Sequence, residues 1–295
     1  MSIDKISVRG FLQAAETGDV KKLELFLRHL DINVVNEQSQ TALHFAAANG
    51  KQNAVRFLVT KGAALECANW TGWTPLMYAS YYGQSEVVSY LIENKAKVNV
   101  CNSRLVTPLI CAARCGHKSV IEILLQNGAS IDPSSFIQPP TSQEVKAIQK
   151  VNHQAQTNVS RRPPMTALMA AAQHGHLGIV NLLLTYNAPI DYQNEVNGYT
   201  ALMLAAVNGH IKIVEFLIET GSANANTVNC RNQTAYVLSK VRKRADVENY
   251  LESRTTRMTR EIQQAQYPPI INAARTGFFM IYITVTFSPF ALRKI

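Results

Sequence analysis

The segments Gly198-Tyr-Thr-Ala-Leu-Met-Leu-Ala-Ala206, Asn208-Gly-His210 and Ile211-Lys-Ile-Val-Glu-Phe-Leu-Ile218 decide the fold. The first predicts a short helix, because the Thr200 hydroxyl can accept hydrogen bonds from the free amides at a helix start. Gly209 suits the left-handed conformation that ends a helix. The apolar spacing of the third segment predicts a second helix with one buried face. Together they predict a helix-turn-helix unit.

The same unit recurs along the chain, and a tetrapeptide that begins with threonine marks each copy. The six tetrapeptides are Thr41-Ala-Leu-His44, Thr74-Pro-Leu-Met77, Thr107-Pro-Leu-Ile110, Thr166-Ala-Leu-Met169, Thr200-Ala-Leu-Met203 and Thr234-Ala-Tyr-Val237. Their threonines stand 33, 33, 59, 34 and 34 residues apart, and the interval of 59 is one period of 33 with an insertion of 26. Since one helix pair cannot bury its apolar face alone, this period predicts a stack of pairs.

The recurring words resemble the ankyrin-repeat family. They are Gly-x-Thr-Pro/Ala-Leu, Ala-Ala, Gly-His, a Val/Ile-Leu-Leu block and Gly-Ala, over about residues 7–255. The resemblance implies an all-α solenoid of stacked helix-turn-helix units with β-hairpin-like loops. The expected repeats span about residues 7–36, 37–69, 70–102, 103–132, 165–195, 196–229 and 230–255.

Three segments depart from the repeat. Residues 133–164, rich in Gln, Ser and Asn with two Pro-Pro pairs, predict a flexible insertion that is either functional or disordered. Residues 256–267 form a charged linker. A further repeat starts at Pro268, but after Gly277 an apolar, β-forming tail replaces the expected second helix. We interpret this tail of segment 268–295 as the product of an alternative exon or a gene-model error in a longer protein.

The charge is basic and concentrated in the C-terminal half. Lys and Arg number 29 against 20 Asp and Glu, a net charge of +9. The excess includes a patch that we call the basic patch, formed by Lys240, Arg242, Lys243 and Arg244, with Arg254, Arg257 and Arg260 following. Such a patch attracts nucleic acid, anionic lipid or an acidic protein. Its alternative interpretation is a solvated helix face with a charged linker.

The cysteines and the apolar runs indicate a cytoplasmic protein. The five cysteines include no C-x-x-C pair, and Met1-Ser-Ile-Asp-Lys-Ile6 leads into repeat-like sequence without a secretory signal. The longest apolar run, Phe278–Phe287, spans about ten residues, whereas a membrane helix needs about 20. Cys111 and Cys115 lie four apart on one predicted helix, where small apolar side chains favour packing over metal or redox chemistry.

No pattern in the sequence predicts catalysis, a metal site or a cofactor. His174-Gly-His176 looks like a metal-binding motif, but His117, His176 and His210 share the Gly-His turn of the repeat, where hydrogen bonds explain them. His44 occupies a position from which a histidine supports the neighbouring hairpin. No H-E-x-x-H, G-x-S-x-G or phosphate-binding loop occurs. We therefore expect neither an enzyme nor a small-molecule substrate.

A group of aromatic and basic residues predicts a partner-binding site. The residues are Trp70, Trp73, Tyr78, Tyr81 and Tyr82 in one repeat, and Arg104 and Arg114 in the next. The family resemblance implies that loop tips and first helices line a concave surface. Trp, Tyr and Arg dominate interface hot spots, because they bury much area at low entropic cost. For Trp73 in particular, the alternative is packing between adjacent loops.

Further segments resemble ciliary proteins that combine ankyrin repeats with a SAM domain. They are Leu43–Gly50, Met165–His176, Thr200–Ala206 and Asp246–Thr256. The resemblance implies a scaffold in the primary cilium whose partners are a NIMA-related kinase, inversin and nephrocystins. This chain lacks the SAM domain, which puts the partnerships made by that domain in doubt. Asp31-Ile-Asn33 resembles the loop site at which an asparaginyl hydroxylase modifies ankyrin proteins, so Asn33 is a candidate hydroxylation site.

Two other functions remain open from the sequence alone. In one, the basic C-terminal half binds nucleic acid or anionic lipid, and its affinity depends on salt. In the other, the chain is an adaptor that recruits clients to a degradation or membrane complex through domains outside this sequence.

Overall fold

Seven helix pairs stack in the order of the sequence in the described part of this chain. A computed structural model describes residues 3–131, 165–194 and 197–255. In this part, the first helices of the pairs are α1 Ile3–Thr17, α3 Ala42–Ala48, α5 Pro75–Tyr81, α7 Pro108–Cys115, α9 Ala167–His174, α11 Ala201–Asn208 and α13 Ala235–Val241. The second helices are α2 Val20–Phe26, α4 Gln52–Thr60, α6 Ser85–Glu93, α8 Lys118–Gln126, α10 Leu177–Thr185, α12 Ile211–Glu219 and α14 Ala245–Glu252.

Threonine begins each first helix from α3 to α13, as the tetrapeptides predict. In α5, α7, α9, α11 and α13 its hydroxyl accepts a hydrogen bond from the amide three residues further on, such as Met203 for Thr200 at 3.2 Å. In α7, α9 and α11 the helix ends at a glycine in the left-handed conformation, including Gly209 at φ 79°. Both end signals of the helix predicted from the opening segment are confirmed.

The pairs contribute to one core through two parallel rows. Each first helix packs against the next first helix, from α1 through to α13, while second helices pack against second helices. The Ala-Ala steps of the first helices lie inside, with Ala46, Ala47, Ala171 and Ala172 fully buried. Small side chains let neighbouring helices approach closely, and the branched residues of the second helices fill the other side of the core. The predicted all-α stack is confirmed.

The connecting loops are hairpin-like without regular strands in the residues that the structure describes. Each is closed by a backbone hydrogen bond that an asparagine amide donates to a residue four or five positions later, as from Asn69 to Trp73 at 2.9 Å. Backbone bonds also join neighbouring loops, from Trp70 N to Gln38 O at 3.2 Å and from Cys230 N to Asn197 O at 3.1 Å.

The Gly-His turns connect consecutive pairs. His117 Nε2 lies 3.0 Å from Tyr81 O, His176 Nε2 lies 3.0 Å from Arg114 O, and His210 Nε2 lies 3.0 Å from Gln173 O. Each ring therefore hydrogen-bonds the last turn of the preceding first helix. The prediction that hydrogen bonding explains these three histidines is confirmed.

Two features favour glycine at the turn position beneath each histidine ring, and Gly175 shows both. Gly175 has φ 83°, a conformation that side chains with a Cβ rarely adopt. A Cβ at Gly175 would also lie only 2.9 Å from His210 Cε1. Gly128 has φ 79°, but a Cβ at that position would meet no other group within 4 Å, so only the backbone argument applies there.

His44 links the first loop to the second in the buried interior. Thr41 N donates to His44 Nδ1 at 3.0 Å, so the ring proton resides on Nε2, which donates to Trp73 O at 3.0 Å. Because burial disfavours a charged ring, the pKa of His44 is lowered to about 4. The predicted support of a neighbouring hairpin by this histidine is confirmed.

The predictions for the insertion 133–164, the linker 256–267 and the tail 268–295, with Arg257 and Arg260, lie outside the described residues. The helices named above belong to one unit, Met1–Arg254.

We predict that Gly175→Ala destabilises the chain more than Gly128→Ala. Both variants carry the backbone penalty of about 1–2 kcal/mol, but only Gly175→Ala also displaces the His210 ring and weakens its hydrogen bond, which adds about 1 kcal/mol. Urea unfolding followed by circular dichroism measures the difference. Equal losses in the two variants would show that the contact with His210 contributes nothing.

We predict that His44 makes stability depend on pH. An unfolded imidazole takes up a proton near pH 6.5, whereas folded His44 resists protonation down to about pH 4. The unfolding free energy should therefore fall by up to about 3 kcal/mol as the pH decreases through this window. His44→Met, which copies the residue at Met77, should reduce that fall, while His29→Gln at an exposed site should preserve it.

Candidate functional site

A chain of aromatic contacts runs through the third helix pair. The ring centroids of Trp73 and Tyr78 lie 5.3 Å apart, those of Trp73 and Tyr81 lie 5.5 Å apart, and those of Tyr81 and Tyr82 lie 5.1 Å apart. His44 of the preceding pair touches Tyr78 edge-on, with a centroid distance of 5.7 Å. Four of the five aromatic residues predicted as a binding site thus form one contact chain.

Two members of this chain belong to the core. Trp73 is 6% exposed and Tyr78 is 2% exposed. The Tyr78 hydroxyl accepts hydrogen bonds from Gln40 Nε2 at 2.9 Å and Asn69 Nδ2 at 3.0 Å, which ties two successive loops together. The prediction that Trp73 and Tyr78 contact a partner directly is therefore wrong, because neighbouring loops cover both side chains. Packing between loops, the alternative for Trp73, matches its position.

The remaining residues lie on a surface that the repeat itself defines. We call it the first-helix face, formed by the residues seven and eight positions after each capping threonine. They are Ala48, Asn49, Tyr81, Tyr82, Arg114, Cys115, Gln173, His174, Val207, Asn208, Val241 and Arg242. All of them except Gln173 keep exposed surface.

Tyrosine, arginine and cysteine form the centre of the first-helix face. Tyr81 lies near Cys115 and Arg114 of the next pair. Burial, followed by the neighbouring Tyr81 hydroxyl, raises the pKa of Tyr82 to about 12. Burial also raises the pKa of the Cys115 thiol, which keeps it protonated and a poor nucleophile. Burial lowers the pKa of Arg114, although a guanidinium remains charged at neutral pH. The centre therefore presents neutral aromatic rings beside a cation.

Trp70 and Arg104 occupy the tips of successive loops. Trp70 is 63% exposed, and Arg104 is exposed in the following loop. Buried asparagines hold the two tips, since Asn69 Oδ1 accepts from Trp73 N at 2.9 Å and Asn102 Oδ1 accepts from Arg104 N at 2.9 Å. A rigid loop that exposes an indole ring suits contact with another molecule.

All four residues of the basic patch are exposed at the turn between α13 and α14. Two of them make contacts within the chain, and the ion pair of Lys240 offsets part of the charge of the patch. Lys240 Nζ lies 3.8 Å from Glu248 Oε1, and Arg244 Nε donates to Val207 O at 3.2 Å. Arg254, which follows the patch in the sequence, pairs with Glu219 at 3.3 Å.

The candidate hydroxylation site Asn33 makes a structural hydrogen bond. Its Oδ1 accepts from Ala64 N at 2.9 Å, and Asn99 Oδ1 accepts from Ser130 N at 2.8 Å in the equivalent position two repeats later. Asn33 therefore connects its own loop to the next one. Its hydroxylation stays a prediction.

His174 belongs to the first-helix face but was absent from the predicted partner site. It is exposed, stacks on His176 with a centroid distance of 6.4 Å, and lies in line with Tyr82 and Cys115. An alignment of the repeats on their threonines would have indicated His174, because it stands eight residues after Thr166, as Tyr82 stands eight residues after Thr74.

Neither a metal centre nor a membrane span occurs in the described part of the chain. No group of three or more His, Cys, Asp or Glu side chains is placed there to hold a metal ion. None of the helices described is long and apolar enough to span a membrane.

Comparison with protein families agrees with this geometry. The family model "Ankyrin repeats (3 copies)" matches residues 11–102 and 142–235, and the model "Ankyrin repeat" matches residues 105–135. The chain belongs to the ankyrin-repeat family. Ankyrin repeats generally mediate protein–protein interactions, and the fold is typically a non-enzymatic scaffold.

Two individual proteins resemble parts of this ankyrin-repeat chain. The Notch-regulated ankyrin repeat-containing protein of Xenopus tropicalis is 36% identical over 71 residues, which cover 22% of this chain and 62% of that protein. The chain thus matches less than two thirds of that relative's length. The crystal structure of the human ASB11 ankyrin repeat domain superposes with a TM-score of 0.67 at 24% identity, and the match covers 83% of this chain and 97% of that domain. This second likeness concerns the fold.

We predict that Tyr78→Phe destabilises the ankyrin stack by about 1–3 kcal/mol. The substitution leaves the buried amide groups of Gln40 and Asn69 without their shared acceptor. Tyr82→Phe, on the exposed side of the same helix pair, should change stability by less than about 0.5 kcal/mol. Urea unfolding followed by tryptophan fluorescence measures both, and equal effects would contradict the structural role of Tyr78.

Proposed function

We propose that this chain is a non-enzymatic scaffold that binds partner proteins on its first-helix face and adjoining loop tips. Tyr81, Tyr82 and Arg114 supply the centre of the binding surface, while Trp70 and Arg104 supply its edge. Of the seven residues that the sequence predicts for this site, only Trp73 and Tyr78 are removed, because they are buried.

The observation that carries the proposal is the contrast within one repeat. Trp73 and Tyr78 are buried and hydrogen-bonded or packed into the stack, whereas Trp70 leaves 63% of its surface in solvent. Tyr81 and Tyr82 are half-buried beside Arg114 of the next pair. The fold needs the first two rings for its own stability, but burial does not account for the others. Exposed Trp, Tyr and Arg side chains on a rigid support are typical of interface hot spots.

We propose further that the scaffold acts in the cytoplasm, at the primary cilium, in an assembly with a NIMA-related kinase, inversin and nephrocystins. The support for this placement is the resemblance of segments such as Leu43–Gly50 and Asp246–Thr256 to ciliary ankyrin and SAM-domain proteins. Binding through the repeats would not require the SAM domain that those proteins carry.

The alternative function uses the basic patch to bind nucleic acid or anionic lipid. The observation that favours it is the exposure of Lys240, Arg242, Lys243 and Arg244 at one turn. The ion pair of Lys240 with Glu248 weakens this alternative, because it offsets one of the four positive charges.

We predict that a double variant, Tyr82→Ala/Arg114→Ala, loses partner proteins that the wild-type chain captures from ciliated cells. The measurement is affinity purification with quantitative mass spectrometry, and we expect about a tenfold loss or more for direct partners. The matched control, Tyr186→Ala/Lys212→Ala, removes an aromatic ring and a cation near the second helices and should capture the wild-type set. Urea unfolding of each variant confirms that its stack is intact.

Identical partner sets for the wild type and the Tyr82→Ala/Arg114→Ala variant would exclude the first-helix face as the binding site. Recovery of nucleic acid or lipid in place of proteins would favour the alternative function. Recovery of specific partner proteins that include no ciliary protein would support the scaffold function and reject its placement at the cilium.

A further inference from the structure

Among the helices that the structure describes, the first helices carry no carboxylate from the second pair onward. The segments Ala42–Ala48, Pro75–Tyr81, Pro108–Cys115, Ala167–His174, Ala201–Asn208 and Ala235–Val241 contain no Asp or Glu. They contain Arg114 and Lys240, and Arg242 follows directly after the last of them. Only α1, in the first pair, has acidic residues in this row.

The acidic residues of the stack lie mostly on the other row of helices. Five of the seven second helices carry Asp or Glu, and α14 alone contains Asp246, Glu248 and Glu252. The two rows therefore differ in charge as well as in position. A surface lined by one sign of charge raises the local concentration of ligands of the opposite sign and favours their binding.

We propose that the first-helix face, from α5 to α13, binds an extended acidic segment of a partner protein. The inference rests on the proposed scaffold function and adds the chemistry of the partner. Arg114 receives one carboxylate beside Tyr81 and Tyr82, and Arg242 receives another at the far end of the face. Apolar groups between these cations, including Val207 and the 64% exposed Val241, contact the remainder of the segment.

The spacing of the cations sets the length of the segment. Arg114 lies in the last turn of α7 and Arg242 directly follows α13, so three helix-to-helix steps separate them. Packed helices lie about 8–10 Å apart, which gives about 24–30 Å between the two cations. An extended peptide covers about 3.3 Å per residue, so the two carboxylates should be about eight residues apart. A segment of about 12 residues would reach from Tyr82 to Arg242.

A peptide fits this surface better than a nucleic acid or a membrane. Phosphate polymers bind through many cations, whereas the first-helix face from α5 to α13 offers two arginines, and Lys240 of the basic patch is ion-paired within the chain. A broad anionic surface on the patch would also meet the carboxylates of α14, which begins directly after Arg244. A narrow peptide along the first helices avoids those carboxylates.

The occupant must come from another molecule on grounds of charge. The insertion 133–164 is the longest segment between repeats, and it contains Lys146, Lys150, Arg161 and Arg162 against Glu144 alone. A basic segment is repelled by the cations of the first-helix face.

The test is phage display of random peptides about 12 residues long against the immobilised full chain, with selected peptides then synthesised and measured by fluorescence anisotropy. We expect enrichment of peptides that carry Asp or Glu about eight residues apart. Arg242→Glu should weaken their binding about tenfold, as should Arg114→Gln, and high salt should weaken it further. Lys212→Glu on α12 reverses an exposed charge on the second-helix row and should leave binding unchanged.

Each other outcome overturns the inference. Enriched peptides that are neutral or apolar, and that are lost with Tyr82→Ala but insensitive to Arg242→Glu, would reject the acidic partner and retain the scaffold. A selection that enriches no peptide at all would also reject the acidic partner. The affinity purification described above then decides whether the scaffold function is rejected as well. Tighter binding of a DNA duplex or of phosphatidylserine vesicles than of any acidic peptide would replace the inference with the alternative function.

Discussion

No helix pair in residues 3–131, 165–194 and 197–255 has an interior of its own, and this constraint shapes the rest of the structure. The fully buried Ala46 and Ala47 of one pair, like Ala171 and Ala172 of a later one, lie against the first helices before and after them. Stability in such a stack is close to a sum over neighbouring interfaces. A residue therefore matters to the fold mainly through what it contributes across one interface, and residues that face away from both neighbours are released for binding.

Polar groups at those interfaces repeat with the period of the chain. His210 reaches the carbonyl of Gln173, and Asn33 reaches the amide of Ala64 in the next loop. Such bonds satisfy backbone groups that would otherwise be buried without partners, and they fix the rotation of each pair relative to its neighbour. Their regularity explains why histidines and asparagines recur in a protein whose sequence carries no catalytic motif.

The helix starts, the turns and the all-α stack could be predicted from the sequence because they depend on local signals. Thr200 caps the helix that follows it, and Gly209 ends that helix. Which of the aromatic residues are buried and which are exposed could not be predicted in the same way. Trp73 and Tyr78 are buried through His44, Gln40 and loops of a neighbouring repeat, whereas Trp70, three residues before Trp73, remains exposed. Nearby positions in one repeat thus differ in burial because of contacts with residues about one period away in the chain, such as His44 and Gln40.

The bond between His176 and Arg114 joins residues 62 positions apart, yet it has the same length and the same kind of atoms as the bond between His210 and Gln173, which are 37 positions apart. Arg114 belongs to α7, and His176 follows α9. These two helices are neighbours in the row of first helices, although 26 additional residues separate their threonines. The interval between them therefore accommodates an insertion of 26 residues while the register of the stack is conserved. We therefore expect that a tag or a modification site introduced at this point would leave the surface on either side unaltered.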